Sequence, residues 1–290
     1  CQVLFHPNGN RLITTGRDVT IRFWSLTAAI HSGRRAEPPQ FAQEVLVPSL
    51  GGEPSLRISP DGTQLSLTMG ETAAIGQMVN GEQICRTLVN GKPPGRATLV
   101  GSVAFSPEGR RVATASYEYV DVWDVDSGKL IGSFDLDTDE EKSVRFGSDD
   151  ETLIVGSRKS GLREYKITAG EDQASLTLSR ILDSSAGYIF TNSPPGDRDL
   201  IPLTASKSGV ARLFSLSKTQ DVFRIDNVPY VWDMAISPDE RFVALGFSGL
   251  APINAGNIEV WSVRDAEKIA TFPPSKGGIA RFSADGRWLK

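Results

Sequence analysis

Short apolar runs alternate along this chain with turns built from Pro, Asp, Asn and Gly. The clearest stretch covers 102–134. Ser102-Val103-Ala104-Phe105 reads as a strand, Ser106-Pro107-Glu108-Gly109 as a turn, and 111–115 as a second strand. A third strand ends in Val122-Trp123-Asp124, an Asp126-Ser127-Gly128 turn follows, and a fourth strand runs over 129–134. Pro presets φ for the first corner of such a turn, and Asp, Asn and Gly tolerate the corner after it. Several strands are apolar on nearly both faces, as in Ile21-Arg22-Phe23-Trp24 and Val120-Asp121-Val122-Trp123. Strands of that kind belong in sheets covered on both sides.

The turn recurs as His6-Pro7-Asn8-Gly9, Ser59-Pro60-Asp61-Gly62, Ser237-Pro238-Asp239-Glu240 and Ser283-Ala284-Asp285-Gly286. Worn copies stand at Gly147-Ser148-Asp149-Asp150 and Pro194-Pro195-Gly196-Asp197, and the interval between copies is 41 to 53 residues. A four-stranded propeller blade takes about 40–45 residues, so each interval fits one blade with some loop insertion. The predicted fold is all-β: a β-propeller of four-stranded blades, with six recognisable blades and the start of a seventh. The whole of 1–290 forms one such domain, with blades over about 2–48, 55–88, 102–134, 143–182, 188–225 and 232–272, and a partial one over 279–290. Completion of the seventh blade is expected from residues before Cys1 and after Lys290, because an open sheet edge is costly. Within blade one, 27–43 reads as a polar insertion; within blade two, Met78-Val79 takes the place of the aromatic that ends the third strand elsewhere.

The third strands end in Trp24-Ser25, Trp123-Asp124, Tyr165-Lys166, Phe214-Ser215 and Trp261-Ser262. With the repeating turn, these endings resemble the tryptophan-aspartate (WD) repeat family of β-propellers over almost the whole chain. The copies depart from the family pattern: one carries a literal Trp-Asp, and none opens on Gly-His. His6 and His31 are the only histidines, so the Asp–His–Ser/Thr–Trp hydrogen-bond network of well-formed repeats has no place here. Irregular repeats of this kind look like those of bacterial multidomain proteins, some of which carry a protein kinase domain.

Composition narrows the function. A net charge of −4 gives no basic face for nucleic acid, and no run approaches the apolar length of a membrane-spanning helix. No targeting signal is read in this stretch, which leaves the compartment open with the cytoplasm favoured. Cys1 and Cys85 are too few for a disulfide framework. The acidic run at 135–141 lacks the glycine turn and distal Glu of a calcium loop, so it reads as a solvated link with no metal and no cofactor. Asn90-Gly91-Lys92 is no phosphate loop, and no serine elbow, kinase signature or His-rich motif is present. These features predict a chain that is not an enzyme.

The resemblance implies a non-catalytic interaction scaffold, one module of a larger polypeptide, that binds a protein or peptide on a rim of loops. The loops expected there contribute Arg17, Asp18, Glu118, Lys207 and seven candidate anchors: Trp232, Tyr230, Tyr117, Tyr119, Arg158, Lys159 and Phe247. Tyr, Trp and Arg anchor interfaces because they desolvate a large area while keeping a polar handle. Trp232 stands just before the first strand of blade six, a position that in the family often faces the central opening. The alternatives are a small ligand or glycan in the central channel, favoured by an aromatic-lined pocket with convergent polar groups, and a regulatory domain of a multidomain signalling enzyme.

Overall fold

A computed structural model of the chain describes residues 2–15, 20–26, 40–46, 55–69, 72–79, 82–88, 100–136, 142–157, 160–170, 174–184, 188–189, 199–205, 209–229, 231–247, 256–273, 280–283, 286 and 289. Among them there are twenty-four strands and no helix. Sheet one holds β1 (Gln2–Phe5), β2 (Arg11–Thr15), β3 (Thr20–Ser25) and β4 (Gln40–Leu46). Sheet two holds β5 (Ser55–Ile58), β6 (Gln64–Met69), β7 (Thr72–Val79) and β8 (Glu82–Leu88). Sheet three holds β9 (Ser102–Phe105), β10 (Arg111–Ala115), β11 (Tyr119–Asp124) and β12 (Leu130–Asp135). Sheet four holds β13 (Lys142–Phe146), β14 (Thr152–Ser157), β15 (Gly161–Thr168) and β16 (Ser175–Asp183). Sheet five holds β17 (Tyr188–Ile189), β18 (Leu200–Ala205), β19 (Val210–Ser215) and β20 (Gln220–Ile225). Sheet six holds β21 (Val231–Ile236), β22 (Phe242–Phe247), β23 (Ile258–Ser262) and β24 (Lys268–Phe272). Every sheet is antiparallel with its four strands in chain order, the blade that the turn spacing predicts.

The core is a series of layers between sheets. Leu4, Ile13, Ile21 and Phe23 of sheet one pack on Leu56, Ile58, Leu65 and Leu67 of sheet two. Ile75 of sheet two meets Val103, Phe105, Val112 and Trp123 of sheet three. Val120 and Val122 on the other face of sheet three meet Val144, Phe146 and Leu153 of sheet four. The pattern continues from four to five through Ile154, Leu162, Ile201 and Leu203, and from five to six through Leu213, Phe223, Met234 and Leu245. Inner sheets are therefore covered on both faces, which is why their strands lack a simple apolar–polar alternation. First strands of neighbouring sheets lie against one another along the row, β1 on β5, β5 on β9, β9 on β13 and β13 on β17.

A seventh unit starts after sheet six. Phe282 forms a bridge with Leu289, and the same spacing pairs Phe5 with Leu12, Phe105 with Val112, Phe146 with Leu153 and Ile236 with Val243. The amide of Gly286 donates to the Ser283 carbonyl at 2.9 Å, as Gly62 does to Ser59 and Gly109 to Ser106. Ala280, Phe282 and Leu289 pack on Ala235, Ala244 and Val260 of sheet six.

Pairing register corrects two details of the sequence reading. In sheet two the position opposite Leu65, where other sheets hold the aromatic, is Gly76 and not Met78. The equivalent pairs are Leu12–Trp24, Val112–Trp123, Leu153–Tyr165, Ile201–Phe214 and Val243–Trp261. In each of these five sheets the fourth strand slips by one residue beside the aromatic, as between Val122 and Trp123. The continuous β7–β8 ladder beside Gly76 has no such slip. The extra residue bends and twists the outer strand, and it accompanies the large ring. The second correction is at β4, which begins at Gln40, inside the stretch read as insertion. His31, Cys1 and the acidic run at 137–141 lie outside the described residues.

Candidate functional site

Antiparallel order puts the first-to-second-strand turns at one end of the row and the second-to-third-strand loops at the other. Contacts at the turn end fix this arrangement. His6 Nε2 lies 2.9 Å from the Gly62 carbonyl oxygen, joining the turns of sheets one and two. Gly62 has φ +75°, and a Cβ there would stand 2.5 Å from the His6 ring, so glycine is required on both counts. Between sheets three and four, buried Asp150 accepts from the Glu108 amide at 3.1 Å and from Arg110 Nε at 3.2 Å, while Arg111 donates to its carbonyl at 2.8 Å. The worn turn of sheet four thus keeps an acid that serves its neighbour.

The opposite end is the loop rim. In sheet three, Ser116 Oγ accepts from the amides of Glu118 (3.3 Å) and Tyr119 (3.0 Å), and the Ser116 amide donates to the Tyr119 carbonyl at 2.9 Å. This closed turn holds Tyr117 outward at 45% exposure, while Tyr119 is half-buried at the start of β11. Sheet four repeats the device: Ser157 Oγ accepts from the Ser160 amide at 3.0 Å, and Arg163 Nε donates to the Ser160 carbonyl at 3.2 Å. Beside it a shallow cleft, lined by Leu136, Ser157, Ser160, Arg163 and Tyr165, has room for about one water.

The other candidate anchors divide into three groups. Phe247 is not on the surface: at 1% exposure it belongs to the apolar layer between sheets five and six, with Val231 and Met234. It ends β22, and its pairing with Val231 on β21 seals the core just below the rim. Trp232 lies within β21 and not before it; Val231 pairs with Phe247 and Asp233 with Gly246, so Trp232 is the extra residue of a β-bulge. Tyr230, Arg158, Lys159, Arg17, Asp18 and Lys207 lie outside the described residues.

A charged cluster at the inner strands had no counterpart among the candidates. Arg57 on β5, Arg145 on β13 and Arg281 of the seventh unit occupy one repeat position, two residues before the serine or glycine that opens the turn. Arg145 is bound by the carbonyls of Phe146 and Leu200, both at 3.2 Å. Arg281, 6% exposed, donates to Asp233, which is 2% exposed and also accepts the Ala280 amide at 3.0 Å. Arg57 is close enough to both that Arg281 pushes its guanidinium down and Asp233 pulls it up; with burial as the largest cause, it falls to about 10. Recurrence of arginine at one repeat position was the sequence signal for this cluster.

Part of the tryptophan network survives without histidine. Trp24 Nε1 donates to Thr14 Oγ1 at 2.9 Å and Trp123 Nε1 to Thr114 Oγ1 at 3.3 Å; Trp261 Nε1 turns to Glu259 Oε2 at 3.1 Å. Residues 1–25 match the family model described as WD domain, G-beta repeat. Among curated proteins, none matches the chain.

Proposed function

We propose that this chain, a WD-repeat protein built of four-stranded propeller blades, is a non-catalytic scaffold that holds a peptide or partner domain on its loop rim. WD repeats in general mediate protein interactions. The observation that carries the reading to the rim is Tyr117, a large aromatic held half in solvent by the Ser116 turn. A tyrosine already held in place gives up little conformational entropy on binding. Tyr119, Trp232, Tyr230, Arg158 and Lys159 are the further anchors of this reading, drawn from loops or strand starts at the same end. Phe247, in the buried layer between sheets five and six, is not itself an anchor.

The test is affinity capture with the full chain, comparing wild type with Tyr117→Ala and Trp232→Ala at matched thermal stability. Partners that bind wild type and are lost by about tenfold or more from either variant place the site on the rim, since truncating an interface anchor costs 1.4 kcal/mol or more. Partners retained in full by both variants remove the rim from the mechanism.

A further inference from the structure

We propose that the outer part of sheet four, on the face turned to sheet three, docks an acidic peptide in which an Asp or Glu stands near a large apolar residue. Arg163 takes the carboxylate, and Leu178 and Ile181 take the apolar side chain. This surface uses none of the rim anchors and does not depend on them.

Pairing register places the three side chains together. Tyr165 is buried in the layer against sheet three, with Val120 and Val122. Arg163 stands two residues earlier on β15 and shares that face, because side chains alternate along a strand; the ladder from β14 runs unbroken through both residues. On β16, the outermost strand of the sheet, Ile181 is opposite Arg163 and Leu178 is opposite Tyr165. Both therefore face sheet three as well. Leu182, next to Ile181, points the other way and packs with Ile201 and Leu203 of sheet five. Directly opposed side chains of this kind have Cβ atoms about 5 Å apart.

Exposure and charge mark these residues as a binding surface. Five large apolar side chains are exposed among the described residues, and two of them, Leu178 at 44% and Ile181 at 57%, lie three positions apart on this one face. The other charged side chains of β15 and β16 each have an opposite charge at hand: Glu164 and Arg180 at 2.9 Å, Lys166 and Glu151 at 3.1 Å, Asp183 and Arg212 at 2.6 Å. Arg163 has no carboxylate among the described residues; its Nε donates to the Ser160 carbonyl at 3.2 Å. It also lines the shallow cleft with Leu136, Ser160 and Tyr165, whose room for about one water suits one carboxylate oxygen. A guanidinium presents paired N–H donors that match a carboxylate, and apolar neighbours strengthen the pair by lowering the local dielectric. Along an extended peptide, side chains two residues apart point the same way about 7 Å from one another. The motif expected is thus an acid, any residue, then a large apolar residue, in either direction.

The experiment is selection of a displayed library of random ten-residue peptides on the full chain, followed by fluorescence anisotropy with the enriched peptides. Peptides that carry the acid–apolar pair and bind about tenfold more weakly to Ile181→Ser and to Arg163→Gln support the site. Ile181 is exposed, so its variant keeps the fold even where Arg163→Gln disturbs the Ser160 loop. Replacing the peptide's acid by its amide should weaken binding to wild type and add little further in Arg163→Gln. No enrichment, enriched peptides without an acid, or affinity undiminished in either variant overturns the proposal. Binding lost in Tyr117→Ala but kept in Ile181→Ser also overturns it, while leaving the rim scaffold intact.

Discussion

At Ser237 a single hydroxyl closes a turn from both sides. It donates to Asp239 Oδ1 at 2.6 Å and accepts from the Phe242 amide at 2.9 Å, while the Arg241 amide donates to the same carboxylate at 3.2 Å. Ser59 and Asp61 repeat the arrangement at the turn of sheet two. The Ser237 hydrogen bond, outweighing a small burial effect, holds the Asp239 carboxyl below its ordinary range. At Asp61 burial pushes upward, and the donors Ser59 and Thr63 together outweigh it. A carboxyl depressed on folding stabilises the native state above its unfolded pKa and loses that contribution as pH falls through the folded value. Stability is therefore expected to fall below about pH 4, the ordinary aspartate range. Asp239→Asn should be less stable than wild type at pH 7 and should lose less between pH 7 and pH 3, as read by denaturant midpoints. Because Asp239 is exposed, the effect is modest. An identical acid dependence in the two proteins would remove the turn carboxyl from the acid transition. These turns were legible in the sequence because their chemistry is local: Ser, Pro, Asp and Gly act on neighbours within five residues.

At the scale of elements, the third strand carries more of each blade than its ending suggests. Trp123 is 2% exposed and packs against Ile75, Val103 and Val112, whereas Trp24 and Trp261 are only half-buried. Truncating a buried tryptophan costs about 3–5 kcal/mol through lost burial and the cavity left behind. Trp123→Ala is expected to cost that much in chemical denaturation, and Trp24→Ala distinctly less. Equal losses would show that hydrogen bonding to Thr114 and Thr14, common to both, outweighs packing. The aromatic pattern was visible in the sequence, but the bulge beside it was not, since a bulge is a property of the pairing between two strands. The same reason hid Gly76: apolar spacing alone allows Met78 at the position, and only the ladder from Leu65 decides. Phe247 was misplaced for a related reason. A residue at the rim end of a strand points to core or solvent according to the neighbouring sheet, and sheet five covers it.

For the whole molecule, the decisive joint is the one that fastens the seventh unit to sheet six. In sheet three the corresponding residue is Ser102, whose hydroxyl accepts the Val144 amide of sheet four at 3.1 Å. Sheet six has Asp233 at that place, accepting the Ala280 amide at 3.0 Å. A serine suffices for the amide; the aspartate answers Arg281 as well, and both side chains are almost wholly buried. Asp233→Ser separates the two roles. The variant keeps an acceptor for Ala280 but leaves the Arg281 guanidinium without its carboxylate, which costs about 3–5 kcal/mol for a broken buried pair. The loss should be local at first, with amide exchange accelerating at 280–283 while the ladders of sheets three and four keep their protection. Adding Arg281→Leu should recover much of the stability, because the stranded buried charge disappears. A double variant as unstable as the single one would mean that Asp233 acts through the amide and the sheet alone. Recovery would identify the ion pair as what fastens the seventh unit to sheet six.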